Sequence, residues 1–196
     1  MASVKEASEN PRVLIMYAST HGHTGIIATR FQTYLEMNGG QVEAVDVKLF
    51  PEVSAADYDA VIVGASIHAG HHQKEIVKWV KANLQDLDAR PNALLSVSLS
   101  AAEDTEESRE ATQKCIADFV DETGWRPDHS EPVAGAIQYR EYDKFTRLLI
   151  RTMMKHGGHP TDTSRDYVLT DWDALSRLAD DLSRRFKEVP AQAATN

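Results

Sequence analysis

The sequence predicts an α/β fold in which helices cover both faces of a parallel, doubly wound sheet. Two observations predict it: short uninterrupted apolar runs, which are typical of strands buried on both faces, and helical periodicity in the segments between them. The length of 196 residues suffices for one such domain but not for two domains and a linker. We therefore expect a single domain over residues 11–188, with flexible tails at 1–10 and 189–196.

The predicted strands and helices alternate along the chain. Four apolar runs predict central strands at 13–17, 60–64, 93–97 and 133–137, and the alternating segment 42–47 predicts a half-covered edge strand. Apolar residues at helical spacing predict helices over 25–38, 73–84, 105–123 and 172–187. Because each strand is followed by a helix, the sheet should be parallel.

A long insertion separates the fifth strand from the last helix. It spans about 139–170 and contains a helical stretch over 142–156, a Gly-Gly-His-Pro turn and a short apolar run at 167–169. An insertion of this size is usually functional or part of an interface.

Composition and charge exclude several classes of protein. The formal charge of −9 argues against nucleic acid as a partner, because phosphate neutralisation needs a basic face. Cys115 is the only cysteine, which excludes an intrachain disulfide, a thiolate zinc cage and an iron–sulfur cluster, and indicates a reducing compartment. No window approaches the roughly 18 apolar residues of a membrane span, so we expect a cytoplasmic protein.

The first strand runs into a polar loop, Ser19-Thr20-His21-Gly22-His23-Thr24, which then opens a helix. Ligands of open α/β sheets bind outside the carboxyl ends of strands, where a helix N-terminus offers unpaired amides. Three hydroxyls and a glycine at that place favour a phosphate ligand. The loop is neither GxGxxG nor a Walker loop, since the lysine is absent. A turn that only caps the helix is the alternative, although one Ser or Thr would suffice for that.

This loop resembles the FMN phosphate loop of flavodoxins, and six further motifs narrow the resemblance. They are Gly64-Ala65-Ser66-Ile67-His68-Ala69-Gly70-His71, Trp125-Arg126-Pro127-Asp128, Ala134-Gly135-Ala136, Met153-Met154-Lys155, Thr161-Asp162-Thr163 and Thr170-Asp171-Trp172. With matching order and spacing from about residue 12 to 173, the chain resembles the flavodoxin-like, menaquinone-dependent protoporphyrinogen oxidase family.

The resemblance implies a flavodoxin-like three-layer sandwich, with a five-stranded parallel sheet in the order 2-1-3-4-5 and a long insertion after strand five. It also implies FMN held by three loops, which follow the first, third and fourth strands. Their residues are Ser19, Thr20, His21, Gly22, His23 and Thr24; Ser66, Ile67, His68, Ala69 and Gly70; and Ser98, Leu99, Ser100, Ala101 and Ala102. The second and third loops lack Trp, Tyr and Phe, which leaves one flavin face open to a bulky hydride donor.

The activity implied by the resemblance is FMN-dependent oxidation of protoporphyrinogen IX to protoporphyrin IX in haem biosynthesis, with a menaquinone-type electron acceptor. No side-chain acid or base is indispensable there, because the flavin carries the redox chemistry. The alternatives are a general FMN quinone reductase that uses NAD(P)H, a flavodoxin-type electron carrier, and loss of flavin binding. The fold is compatible with homo-oligomers, although no single residue demands association.

Five of the eight histidines fall on the first two loops: His21, His23, His68, His71 and His72. We expect no metal there, because no carboxylate or thiolate lies beside them at ligand spacing. A histidine near the flavin edge can tune its reduction by hydrogen bonding, and His68 is the candidate for that role. Solvated loop histidines are the alternative.

The insertion carries the clear charge asymmetry of the chain. Residues 140–156 hold five basic and two acidic side chains, a balance of +3 in a chain of −9. Their apolar neighbours fall near helical spacing, which predicts a basic amphipathic helix. We expect Arg140, Lys144, Arg147 and Arg151 to bind substrate propionates, or anionic lipid at the inner face of the cell membrane. A helix that covers the sheet or a second subunit is the alternative.

Overall fold

A computed structural model describes residues 10–156 and 161–188 of the chain. The predicted turn at 157–160 and the predicted tails, apart from residue 10, lie outside the described residues.

Five parallel strands form the sheet, and a short sixth strand pairs antiparallel with one of them. The strands are β1 (Arg12–Ala18), β2 (Gln41–Asp46), β3 (Ala60–His68), β4 (His71–His72), β5 (Asn92–Ser98) and β6 (Ser130–Ala134). They lie in the order β2-β1-β3-β5-β6, with β4 attached to β3. The order 2-1-3-4-5 of the five main strands is therefore confirmed. At the centre of the sheet, Ile15 of β1 pairs with Ala44 of β2 on one side and with Ile62 of β3 on the other.

The helices are α1 (His23–Met37), α2 (Lys74–Ala82), α3 (Leu84–Asp88), α4 (Glu106–Thr123), α5 (Lys144–His156) and α6 (Trp172–Glu188). The single helix predicted over 73–84 ends early at Ala82, and α3 follows it after Asn83. The Asn83 amide donates to the Trp79 carbonyl, and its Oδ1 accepts the Ala55 N–H. This tertiary contact ends α2 where the periodicity alone would continue it.

Two apolar layers enclose the sheet. On one face α2 and α4 pack against alternate strand residues such as Leu14 and Met16. On the other face α1 and α6 cover the intervening residues, Val13 and Ile15. The three-layer sandwich follows from strands that are apolar on both faces. Trp79 and Trp125 lie in the first of these layers.

The fifth apolar run does not form one strand, which corrects the prediction for 133–137. β6 ends at Ala134, and Gly135 donates its N–H to the Ser98 carbonyl at 3.0 Å. The chain then leaves the sheet as β7 (Ala136–Ile137), which pairs antiparallel with β8 (Tyr167–Val168) at the other end of the insertion. The two-strand ladder closes the base of the insertion.

Candidate functional site

The first polar loop lies between β1 and α1. Gly22 has a φ of 86°, and a Cβ added there would contact nothing within 4 Å. α1 starts at His23, and its N-cap residue, Gly22, supplies no side-chain cap. Gly22 therefore has open space beside it at the N-terminus of α1, a position that favours an anion.

Lys48 supplies the cation that the loop itself lacks. Its Nζ donates to the Ser19 carbonyl at 3.0 Å from the turn after β2. The sequence carries no signal for this contact, because 29 residues separate the two positions.

His23 points into the protein rather than toward the loop surface. Its Nε2 lies 2.8 Å from Thr170 Oγ1, and the Thr170 hydroxyl donates to the Ala134 carbonyl at 2.7 Å. Because that hydroxyl has one proton, His23 must donate through Nε2. Burial lowers the pKa of His23, so the ring is neutral at pH 7.

The second loop is a tight hairpin between β3 and β4. Ala69 and Gly70 occupy its turn with φ values of 51° and 82°. Both residues lie in the left-handed region, as a two-residue hairpin turn requires, and Ala69 does so at a steric cost. His68 stands exposed at the start of the turn. His72, in contrast, is buried with Nε2 3.0 Å from Ser96 Oγ.

The third loop begins at the end of β5 and forms a 3-10 turn at Ser100–Ala102. Ser98 Oγ accepts the Ala101 N–H at 3.1 Å, which fixes the start of the turn. Leu99 packs against a small apolar cluster in the insertion. The third loop is therefore held by the sheet on one side and by the insertion on the other.

The insertion supplies an aromatic side chain to the first loop. Gln138 Nε2 donates to the His21 carbonyl at 2.8 Å, and the Tyr142 ring meets the His21 ring edge-on at 5.4 Å. The His68 ring also lies near the His21 ring, with ring centroids 6.3 Å apart. Three separate segments thus bring His21, His68 and Tyr142 together. Sequence reasoning missed Tyr142 and Gln138, which carry no local motif.

The five loop histidines do not converge. His21 and His68 are neighbours, whereas His23 and His72 are buried and bonded to Thr170 and Ser96. Across residues 10–156 and 161–188 no three His, Cys, Asp or Glu side chains form a cluster that could hold a metal ion.

The four basic residues that the sequence assigns to substrate or lipid form two pairs, which differ in their hydrogen bonds. Arg140 Nε donates to the Ser164 carbonyl at 3.3 Å, and Arg147 Nη2 donates to the Tyr142 carbonyl at 2.9 Å. Within the described part of the chain, the buried Nε of Arg147 has no hydrogen-bond partner. Lys144 and Arg151 are exposed. The first pair therefore bonds the insertion's own backbone, although Arg140 is exposed to solvent like Lys144 and Arg151.

α5 exposes an apolar stripe beside those cations. Phe145, Leu148 and Leu149 are 78%, 61% and 52% exposed, whereas Met154 on the opposite side is buried. The predicted amphipathic helix therefore has an uncovered apolar face, and only its inner side packs on the insertion. Among the described residues, no helix is long and apolar enough to cross a bilayer.

A cavity of about 380 Å³ lies at the amino ends of the strands, opposite the three loops. Asn92 and Asp128, at the amino ends of β5 and β6, line it with Arg90, His129 and Arg185. It contains none of the residues of the three loops, so the loop cluster is the better candidate site.

The sheet order, the helical layers and the loops at the carboxyl ends of the strands define a flavodoxin-type α/β protein. A family model described as flavodoxin domain matches residues 14–164. The chain is 33% identical over 191 residues to the protoporphyrinogen IX dehydrogenase (quinone) of Leishmania major, covering 97% of this chain and 82% of that protein. It is 31% identical over 172 residues to the protein of the same name from Escherichia coli strain K12, covering 88% and 94%. The chain belongs to this family of flavodoxin-domain oxidoreductases.

Solved structures agree with the fold. Oxidised flavodoxin 1 of Bacillus cereus gives a TM-score of 0.52 at 12% identity, over 88% of this chain and 97% of that one. A flavodoxin from the domain Archaea gives 0.52 at 17% identity, over 90% and 99%. At these identities the likeness concerns the fold alone.

Proposed function

We propose that this protein is an FMN-dependent dehydrogenase that oxidises protoporphyrinogen IX to protoporphyrin IX in haem biosynthesis and passes the electrons to a menaquinone-type acceptor. The observation that carries the proposal is the similarity, over nearly the whole chain, to relatives named for that reaction. In this proposal residues 11–188 form a single domain, and the protein works at the cytoplasmic face of the cell membrane.

The donor chemistry of the first loop fits the FMN phosphate. The N-cap residue of α1, Gly22, supplies no side-chain cap and has open space beside it, and Lys48 adds a positive charge nearby. We assign the phosphate to residues 19–24 and the flavin ring to residues 66–70 and 98–102. Backbone amides and hydroxyls at a helix N-terminus stabilise a phosphate without an arginine or a Walker lysine.

Bound FMN would supply the redox chemistry, in which each round takes a hydride and a proton from the porphyrinogen and delivers two electrons and two protons to the quinone. The chain's own residues orient the two ligands. His68, exposed at the hairpin turn, is the side chain we assign to hydrogen bonding at the flavin edge. Tyr142 encloses the site from the insertion side.

Anaerobic reduction tests the proposal. The FMN-loaded protein should lose its visible flavin absorbance on mixing with protoporphyrinogen IX and regain it when a menaquinone analogue is added. Reduction by NAD(P)H but not by the porphyrinogen would instead identify a general quinone reductase. Reduction only by a low-potential protein donor would identify an electron carrier.

The exposed face of α5 supports a membrane-binding role. Apolar side chains next to lysine and arginine suit a helix that lies in the interface of an anionic bilayer. We assign Lys144 and Arg151 to lipid head groups because both are exposed on α5, the helix that carries the uncovered apolar stripe. Arg140 and Arg147, which each bond a backbone carbonyl of the insertion, are assigned to the substrate propionates.

Vesicle sedimentation tests this role. Phe145→Ser with Leu149→Ser should reduce binding to vesicles that contain anionic lipid by about tenfold or more, because the binding strength of an interfacial helix scales with the apolar area that it buries. Separately, Lys144→Glu with Arg151→Glu should reduce it by about tenfold or more, since each Lys or Arg near the surface contributes about 1 kcal/mol. Met37→Ser is the matched control, because Met37 is 79% exposed at the end of α1. If both double variants bound the vesicles unchanged, the membrane role would be wrong, and α5 would be a helix that covers the sheet or contacts a second subunit.

A further inference from the structure

Gln73 joins two of the loops described above. It precedes α2 in the N-cap position, yet its side chain does not cap that helix. Its Nε2 donates instead to Thr20 Oγ1 at 3.0 Å and to Ser66 Oγ. Thr20 belongs to the first loop and Ser66 to the second, so one amide bridges the two.

The hydrogen bonds determine where the hydroxyl protons can go. A hydroxyl has one proton and accepts through its lone pairs, and an amide NH₂ carries two protons. Because Gln73 donates both protons, Thr20 and Ser66 each keep their own proton to donate elsewhere. Neither hydroxyl donates to another of the described residues, and Thr20 is exposed.

The reversed amide is disfavoured, because it would leave two buried N–H donors without a partner in place of one carbonyl oxygen. Gln73 Oε1 is buried and has no hydrogen-bond partner in the described part of the chain. With the amide reversed, Oε1 would accept both hydroxyl protons, and Thr20 and Ser66 would present only lone pairs. Lone pairs repel an anion, so the two orientations predict opposite behaviour toward a phosphate.

We propose that Gln73 is a positioning residue that sets the Thr20 and Ser66 hydroxyls as donors toward FMN, with Thr20 donating to the phosphate. The inference rests on the proposed FMN binding. In this role Gln73 acts on FMN through the two hydroxyls that it bonds. A hydrogen bond to a charged group contributes more than one between neutral groups, so the effect falls mainly on the phosphate.

The test compares dissociation constants for FMN and for riboflavin, which lacks the phosphate, by quenching of flavin fluorescence. Gln73→Leu should weaken FMN binding by about tenfold, as loss of one charge-assisted hydrogen bond predicts. Riboflavin binding should change by much less. Gln73→Glu should weaken FMN binding further, since its carboxylate accepts both hydroxyl protons.

A double-mutant cycle with Thr20→Val separates this role from a purely structural tie. In the Thr20→Val protein, Gln73→Leu should have little further effect on FMN. Gln32→Leu is the matched control, because Gln32 also bridges two groups, Glu36 and the Val42 carbonyl, but lies away from the loops. It should leave the ratio of the two constants unchanged.

Equal weakening of FMN and riboflavin by Gln73→Leu, or an undiminished effect in the Thr20→Val protein, would overturn the inference while leaving FMN binding intact. Absence of FMN binding by the unmodified protein would overturn the proposed cofactor and this inference together. Thermal unfolding of each variant checks that it is folded, and Gln73→Met serves if Gln73→Leu is not.

Discussion

At the scale of single residues, His72 shows how burial controls protonation. The ring packs 4.7 Å from the Phe119 ring and lies beside Ser96. Burial, with a smaller effect of the neighbouring His71, lowers the pKa of His72 from 6.5 to about 4. The folded protein therefore holds this histidine neutral over a pH range in which the unfolded chain protonates it.

The free energy of unfolding should fall as the pH drops from about 6.5 to about 4, because the unfolded state then binds one more proton than the folded state. The contribution of His72 is at most about 3 kcal/mol, from 1.36 kcal/mol per pKa unit. Urea denaturation across this range should show a shallower pH dependence for His72→Gln, whose amide can still bond Ser96. Equal pH dependence in the two proteins would contradict the assignment.

At the scale of elements, α4 begins with a capping residue visible in the sequence. Thr105 Oγ1 accepts the Ser108 N–H at 3.1 Å, and acidic residues occupy the first turn. Such a cap satisfies an amide that would otherwise have no partner within the helix.

Thr105→Ala should lower the free energy of unfolding by about 1 kcal/mol, while Thr105→Ser, which keeps the acceptor oxygen, should cost much less. Chemical denaturation measures both. If the two variants were equally destabilised, the cap would not be the source of the effect.

The strands and long helices could be predicted because burial on one or both faces leaves a local pattern in the sequence. α3 and the break at Gly135 could not, since Asn83 and the Ser98 carbonyl set them through tertiary contacts. The same holds for the site. The loop hydroxyls form a motif, whereas Lys48 and Gln73 reach the loops from other elements.

At the scale of the whole molecule, the insertion has an apolar core of its own. Ile137, Tyr139 and Met154 form a cluster separate from the two layers that flank the sheet, and Leu99 of the third loop packs against it. A small separate core allows local opening without unfolding of the sheet.

Met154→Ala should therefore loosen the insertion selectively. Truncating a buried methionine costs about 2–5 kcal/mol of stability, and here the loss should fall mainly on this cluster. Hydrogen exchange should become faster across residues 139–156 and 161–169 and change little in β1 and β3. Ile62→Val, in the centre of the sheet, is the control that should act on global stability. A uniform increase in exchange for Met154→Ala would show one cooperative core.

The two ends of the insertion attach to the same short segment. Gln138, near its start, holds the His21 carbonyl, and Thr170, at its end, holds the His23 ring. Suppose that a phosphate bound to this segment favours one arrangement of the insertion. A lipid or substrate that binds that arrangement must then raise the affinity of the protein for the phosphate, and each ligand changes the affinity for the other by the same factor. Binding of the cofactor and binding to the membrane surface would then be thermodynamically coupled.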